Sequence, residues 1–173
     1  MSNSQKFSRR KILLSGAALG GAATLSSIFL GGLWSKQPQA KDGAFEIIKS
    51  EDEWRRLLTK QQYFVIRMEG TEKPYSSPLN NEKRNGVFQC AACDLDLYGS
   101  KDKYDSKSGW PSFTQPIAAN AVETKTDRKL FFARTEVHCR RCGGHLGHVF
   151  DDGPAPTGKR HCINGVALKF KAN

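Results

Sequence analysis

The sequence has too few cysteines for a disulfide scaffold and only one long apolar segment, and both facts narrow the class of protein. It has five cysteines in 173 residues, an odd number, and four of them occupy two C-x-x-C pairs. A scaffold built from disulfides is therefore disfavoured. Only one long apolar run occurs, at residues 12–34, which excludes a membrane protein with several spans. The chain has no low-complexity segment and no internal repeat beyond the two C-x-x-C pairs.

Residues 1–40 contain no acidic side chain. Their five basic residues supply half of the net charge of +10, so charge gives little support for nucleic-acid binding. Arg9 and Arg10 precede the apolar, Gly- and Ala-rich run, which is the pattern of a bacterial twin-arginine export signal. An ordinary secretory signal and a single membrane anchor through residues 12–34 are the alternatives. We expect an exported protein, periplasmic or on the outer face of the cytoplasmic membrane.

The rest of the chain, residues 41–173, is expected to form one domain with short helices at its start. A capping box at Ser50 and Glu53 predicts an amphipathic helix. The residues expected on its buried face are Trp54, Leu57 and Leu58. A second short helix is predicted near residues 59–63, and residues 64–68 either extend it or form a strand.

Beyond a loop at residues 70–86, the pattern favours a mainly β protein. Short apolar segments rich in β-branched and aromatic residues are separated by Gly- and Pro-containing loops. The strand candidates are residues 87–90, 94–98, 121–125, 130–138, 146–150 and 161–170, with a polar turn at residues 126–129.

The two C-x-x-C pairs predict a metal site. Cys90 and Cys93 form one pair, and Cys139 and Cys142 form the other. Two such turns supply four thiolates in a tetrahedron, which suits one Zn²⁺ per chain and leaves no position open for water. The site is therefore expected to be structural. Redox-active dithiols and plain disulfides are the alternatives.

Cys162 is left without a partner in this arrangement. Alternation along the last strand candidate places Arg160 and Asn164 on the same face, and a nearby cation favours the thiolate. A small buried apolar residue would fit the same pattern. His145 and His148 face opposite ways in an ideal strand unless a bulge at Gly147 brings them together. Taken alone, each of these histidines is more often a packed or surface residue than a catalyst.

Several motifs, in order, resemble those of B-type methionine sulfoxide reductases, and the similarity spans about residues 45–171. It includes Trp54 and four segments: residues 70–74 (GTEKP), 103–113 (KYDSKSGWPSF), 139–154 (CRRCGGHLGHVFDDGP) and 160–164 (RHCIN). The resemblance implies antiparallel β-sheets with short N-terminal helices and a four-cysteine zinc site. It also implies reduction of the R epimer of methionine sulfoxide, peptide-bound or free.

The resemblance also implies a role for each site residue. Cys162 is expected to be the nucleophile that becomes a sulfenic acid. The residues expected to bind the sulfoxide oxygen are His145, His148 and Asn164, with His148 favoured as the general acid. Trp110 is expected to form an apolar wall for the substrate methyl group, and Arg160 to stabilise the thiolate.

One departure from the family pattern is Ser108, which stands where many members have a resolving cysteine. We therefore expect a monomeric one-cysteine enzyme, regenerated by an external thiol reductant, either thioredoxin-like or a small thiol. Its substrates would be oxidised proteins, and its role the repair of oxidative damage. Two rival functions are a zinc-knuckle binding module and a thiol oxidoreductase that uses the C-x-x-C pairs as dithiols.

Overall fold

The computed structural model describes residues 45–129 and 132–173. The predicted signal at residues 1–40 and its boundary with the domain lie outside these residues. The helices are α1 (Glu51–Leu57) and α2 (Lys60–Ile66), with short 3₁₀ helices at Pro78–Asn81, Ser100–Asp102 and Gly165–Ala167. The strands are β1 (Gly86–Cys90), β2 (Asp96–Gly99), β3 (Lys103–Tyr104), β4 (Ser112–Phe113), β5 (Val122–Asp127), β6 (Arg134–Cys139), β7 (His145–Phe150), β8 (Arg160–Ile163) and β9 (Leu168–Ala172).

Helix α1 begins with the predicted capping box. The Glu53 backbone N–H donates to Ser50 Oγ at 3.3 Å, and the Ser50 N–H donates to the Glu53 carboxylate at 2.8 Å. Trp54 and Leu58 are buried as predicted, but Leu57 is 61% exposed. Leu58 is the C-cap residue of α1 and its backbone is extended, so its side chain enters the core from beyond the helix. The buried face of the helix therefore does not include Leu57.

Helix α2 extends through residues 64–66, so the segment after residue 63 continues the helix and does not form a strand. A second capping box, between Thr59 and Gln62, begins it. Met68 follows α2 and is 58% exposed. Within the described ranges, neither seven-residue α-helix nor any shorter one could traverse a lipid bilayer.

The strands form two antiparallel sheets, as the family resemblance implies. One sheet has the order β2-β1-β9, and the other has the order β3-β4-β8-β7-β6-β5. Aromatic side chains from both sheets share one core. Tyr98 of β2 stacks on Phe113 of β4 with ring centroids 4.4 Å apart, and Phe88 of β1 meets Phe113 edge-on at 5.0 Å. All three residues are fully buried, so the aromatic cluster stabilises both sheets at once.

The predicted last strand, residues 161–170, is wrong as a single element. It consists of β8 in the larger sheet and β9 in the smaller one, separated by the 3₁₀ helix Gly165–Ala167. The carboxylate of Glu72 accepts hydrogen bonds from the backbone N–H groups of Gly165 and Val166 and holds this turn. Asn164 therefore lies beyond the end of β8, and the predicted alternation with Cys162 stops there.

The predicted turn at residues 126–129 is also wrong in its first half. Strand β5 continues through Asp127, which pairs with Arg134 at the start of β6. The Asp127 carboxylate contacts side chains of two other strands, so it is held in the sheet and not in a turn. Strand β6 begins at Arg134, and residues 130 and 131 at the predicted start of this strand are not described.

Candidate active site and metal centre

Strand β8 places Cys162 between two polar residues of neighbouring strands. It pairs in register with Ser112 of β4 on one side and His148 of β7 on the other. Residues directly opposite each other on antiparallel strands point to the same face of the sheet. A thiol, an imidazole and a hydroxyl therefore share one face. Cys162 is partly exposed there, whereas Ser112 and His148 are buried.

A bulge in β7 brings His145 and His148 to the same side. Val137 pairs with Gly147, but the next residue of β6, His138, pairs with His145, so β7 has one extra residue. The two imidazole centroids are consequently 5.4 Å apart. Gly147 also permits close approach to β8, since a Cβ there would lie 2.0 Å from the carbonyl oxygen of Cys162.

Each of these two histidines faces a buried carboxylate. His148 Nε2 lies 2.9 Å from Asp127 Oδ2, and His145 Nδ1 lies 3.0 Å from Glu136 Oε1. Burial lowers the pKa of His148, and the Asp127 carboxylate partly offsets this by stabilising the imidazolium. His145 is only 2% exposed, and neither of its ring nitrogens has a well-aligned hydrogen bond to the described residues.

The sequence reasoning missed Asp127 and Glu136. The pKa of Asp127 is lowered by the Lys129 backbone N–H and by His148, with Arg134 contributing further. Burial opposes ionisation of Glu136, but His145 and Lys125 outweigh it and lower its pKa. Both groups are therefore carboxylates at neutral pH. Their positions opposite β7 depend on the register of three strands, and no spacing in the sequence signals that register.

A cleft of about 120 Å³ opens over Cys162. Its lining comprises Thr71, Trp110, Arg134, Gly147, His148, Phe150, Cys162 and Asn164. The Trp110 ring forms one apolar side and is fixed by its Nε1–H, which donates to the Glu72 carbonyl at 3.2 Å. His148 belongs to the lining of the cleft, whereas His145 does not and is 2% exposed, with its ring centroid 5.4 Å from that of His148. The predicted contact of His145 with the sulfoxide oxygen stays a prediction.

Arg160 lowers the pKa of Cys162, as predicted, but the net shift of this pKa is upward. Burial raises the pKa of the Cys162 thiol, and Ser108 and Arg160 reduce that rise without cancelling it. The guanidinium is shared, because it donates two hydrogen bonds of 2.8 Å to Asp152 and lies over the Phe150 ring. Burial therefore outweighs the effect of the guanidinium on the pKa of Cys162.

Asn164 lies at the cleft but is already hydrogen-bonded. Its Nδ2 donates to the Leu146 carbonyl at 3.0 Å, and its Oδ1 accepts from the Glu72 N–H at 2.9 Å. One N–H of the amide is left for a ligand. These bonds also hold the turn after β8 against β7, so Asn164 shapes the cleft whether or not it binds the substrate.

The four predicted ligand cysteines come together at one point. Their sulfur atoms all lie within 4.8 Å of one another, with 3.8 Å between Cys90 and Cys142 and 3.5 Å between Cys93 and Cys139. Sulfurs in a tetrahedron around a metal ion, at about 2.3 Å from it, are roughly 3.8 Å apart, so the set fits a metal ion. These separations are too long for disulfides, and none of the five cysteines is disulfide-bonded. Because the pairs lie at the ends of β1 and β6, the cluster links the two sheets.

Comparison with known proteins identifies one family. Residues 58–172 match the SelR domain. The chain is 54% identical over 123 residues to the peptide methionine sulfoxide reductase MsrB of Methanosarcina barkeri, covering 71% of this chain and 87% of that protein. It is 50% identical over 133 residues to the MsrB of Leifsonia xyli subsp. xyli (76% and 96%) and 51% identical over 126 residues to that of Pseudomonas entomophila (73% and 96%).

Proposed function

The chain belongs to the SelR-domain family of methionine sulfoxide reductases, and from this membership we propose that it reduces the R epimer through Cys162. The observation that carries the proposal is the register of β8, which sets Cys162 opposite His148 at the mouth of a cleft walled by Trp110. A nucleophile and an acid are both needed, because sulfoxide sulfur becomes electrophilic as its oxygen takes a proton.

His148 is the general acid in this proposal. It lines the cleft, and the Asp127 carboxylate at Nε2 stabilises its protonated form. The Cys162 thiolate attacks the sulfoxide sulfur while His148 protonates the oxygen. The hydroxyl then moves from the substrate sulfur to the Cys162 sulfur as the sulfur–sulfur bond formed by the attack breaks, so that Cys162 becomes a sulfenic acid and methionine leaves as the thioether. His145 supports His148 from behind, and the remaining amide N–H of Asn164 faces the sulfoxide oxygen.

Epimer choice follows from the walls of the cleft. Both residues line the cleft, and in this proposal the Trp110 ring offers an apolar surface to the substrate methyl group while His148 offers a proton to the oxygen. Exchanging these two substituents on sulfur would place the oxygen against the indole and leave the acid unused. The cleft opens at the protein surface, which suits a methionine sulfoxide within an oxidised protein chain.

The second half-reaction uses an external thiol. The chain has five cysteines, and the metal-site cluster uses four, so Cys162 has no partner for an internal disulfide. One thiol of the reductant condenses with the sulfenic acid and releases water, giving a mixed disulfide. A second thiol attacks that disulfide and restores Cys162, and the reductant is oxidised to its own disulfide.

We further propose that the four-cysteine site holds one structural Zn²⁺. Four thiolates suit Zn²⁺ and leave no position for substrate. The ion would fix the two sheets and take no part in the chemistry.

Export is proposed as well, by the twin-arginine route, with residues 12–34 as a cleavable signal or a tether. That route moves folded proteins, so the metal site could assemble in a reducing compartment. Replacing Arg9 and Arg10 together by Lys should retain the protein in the cytosolic fraction. Unchanged export would contradict the proposed route.

The function is tested by single turnover without added thiol. The purified protein is mixed with each epimer of a blocked methionine sulfoxide, and methionine formed per chain is counted. We expect about one equivalent from the R epimer, none from the S epimer, and a sulfenic acid on Cys162 with no new disulfide. A Cys162→Ser variant with the same metal content should form no methionine.

Two other outcomes would favour the rival functions. No methionine from either epimer, with the metal in place, would contradict the reductase and favour a binding module. Reversible formation of two disulfides by the metal-site cysteines during turnover would favour a dithiol oxidoreductase.

A further inference from the structure

A chain of three serine hydroxyls leads away from Cys162. Ser108 Oγ lies 3.8 Å from Cys162 Sγ, and Ser106 Oγ lies 2.8 Å from Ser108 Oγ. Ser112 Oγ lies 2.7 Å from Ser106 Oγ and 3.2 Å from the Trp110 carbonyl. The row of hydroxyls therefore connects the Cys162 sulfur to the Trp110 carbonyl without a gap.

The hydrogen bonds along the three serine hydroxyls can point in either direction. Each hydroxyl has one proton to donate and can accept from a neighbour. When Cys162 is a thiol, every hydroxyl can donate away from the sulfur, and the last donates to the Trp110 carbonyl. When Cys162 is a thiolate, all three can rotate so that Ser112 donates to Ser106, Ser106 to Ser108, and Ser108 to the sulfur. In both states, each serine hydroxyl has a hydrogen-bond partner.

The loop that carries the first two serines is held in place. Asn80 Nδ2 donates to the Gly109 carbonyl at 3.0 Å, and the Tyr75 hydroxyl donates to the Lys107 carbonyl at 2.7 Å. Lys107 has a positive φ of 61°, which turns the backbone so that the two serine side chains meet. Ser112 is fully buried in β4, directly opposite Cys162. The hydroxyls are thus fixed before substrate binds.

We propose that Ser108, Ser106 and Ser112 form a reversible hydrogen-bond chain that stabilises the Cys162 thiolate, with Ser106 acting on the sulfur only through Ser108. This inference rests on the assignment of Cys162 as nucleophile. Ser108 stands at the position that many relatives fill with a second cysteine. The proposal gives this position a different role, which is to promote the ionisation of Cys162. Burial disfavours the thiolate here, so a donor that turns toward the sulfur only on ionisation lowers the cost of forming it.

Other titratable or charged groups lie around the sulfur and remain constant in the test. They are Arg160 on the same strand, Asp152 paired with it, His148 on β7, Tyr104 on β3 and Arg134 at the cleft. None of them donates to a serine of the chain.

The experiment measures how the rate of Cys162 alkylation by iodoacetamide depends on pH, in the metal-loaded protein. Mass spectrometry of the peptide containing Cys162 separates it from the metal-site cysteines. We expect Ser108→Ala and Ser106→Ala each to raise the alkylation pKa by about one unit. Ser108→Thr, which keeps the hydroxyl, should restore it. Ser76→Ala is the matched control, because this hydroxyl bonds only the Lys73 carbonyl at the surface.

An unchanged alkylation pKa in Ser108→Ala would overturn the proposal. A shift in Ser108→Ala but none in Ser106→Ala would also overturn it, because Ser108 would then act alone. Ionisation is measured without turnover, so the result is separate from the single-turnover test. A protein whose pKa shifts as expected but forms no methionine would contradict the proposed function and leave the hydroxyl chain standing.

Discussion

At the scale of single residues, His148 depends on a carboxylate that no motif contains. As the proposed general acid, the imidazole would hold a proton near neutral pH, yet burial lowers its pKa. Asp127 acts against that shift at 2.9 Å, and its own charge is held by Arg134 at 2.6 Å. An acidic side chain that orients and charges a histidine is a common arrangement in general acid–base catalysis. We therefore regard Asp127 as a positioning residue.

Replacing Asp127 by Asn should lower the His148 pKa further. His148 loses its proton as pH rises through that pKa. The alkaline limb of the pH profile of the single-turnover rate should therefore move to lower pH. At pH 7 we expect a fall of about tenfold, since one pKa unit reduces the protonated fraction by that factor. The measurement is the single-turnover rate with the R epimer across pH.

Glu123→Gln is the control for this substitution. It removes an exposed carboxylate of the same strand that contacts His138 and not His148. Its pH profile should match that of the parent protein. An equal fall at every pH in Asp127→Asn, without a shift of the limb, would contradict the assignment of Asp127.

At the scale of elements, the distance between β7 and β8 determines whether the site exists. Gly147 lies where any Cβ would meet the Cys162 carbonyl oxygen at 2.0 Å. That oxygen belongs to the backbone and cannot turn aside. The bulge beside it sets both histidines on one face, so the same short segment controls strand separation and imidazole placement.

Gly147→Ala should therefore separate β7 from β8. We expect a loss of about 3 kcal/mol in the free energy of unfolding, the upper part of the usual range for overpacking. Single turnover should be lost as His148 moves away from Cys162. Urea denaturation and methionine formation check the two effects. Gly99→Ala is the control, because its Cβ would find no atom closer than 3.6 Å. Parental stability in Gly147→Ala would contradict this account.

Local patterns predicted the elements better than they predicted their ends. The Ser50 capping box, the β-rich body and the approach of the four cysteines are confirmed, because each follows from spacing or composition. The antiparallel pairing, which the family resemblance implied, is confirmed as well. The break after β8 could not be read from the sequence, since it depends on Glu72 from a distant loop reaching the backbone of Gly165. Asp127 was hidden for the same reason: its partners come from other strands.

At the scale of the whole molecule, the metal-site cysteines bring together the two sheets, which strand pairing leaves separate. Cys90 and Cys93 extend from a strand of the smaller sheet, and Cys139 and Cys142 from a strand of the larger one. No strand pairing joins these sheets in the described part of the chain. A bound ion would therefore add a cross-link that the backbone ladder does not supply.

Removing the metal should loosen the molecule while leaving Cys162 intact. In Cys93→Ser, or after treatment with a strong chelator, we expect the thermal midpoint to fall by at least about 10 °C. Metal content and calorimetry are the measurements. Cys162→Ser is the control and should keep both the metal and the midpoint. An unchanged midpoint in metal-free protein would show that the shared aromatic core alone holds the sheets.

The exposure of Met68 bears on how the protein withstands the oxidants that create its substrate. Met1 and Met68 are the chain's two methionines, and Met68 is 58% exposed just after α2. Oxidation there would add a polar oxygen to a side chain that already meets water, with no core to disrupt. The packing described above uses leucine, isoleucine, valine and aromatic residues, which do not form sulfoxides. Within the described residues, the sulfoxide that this family reduces can form only at Met68, on a surface that another copy of the protein could reach.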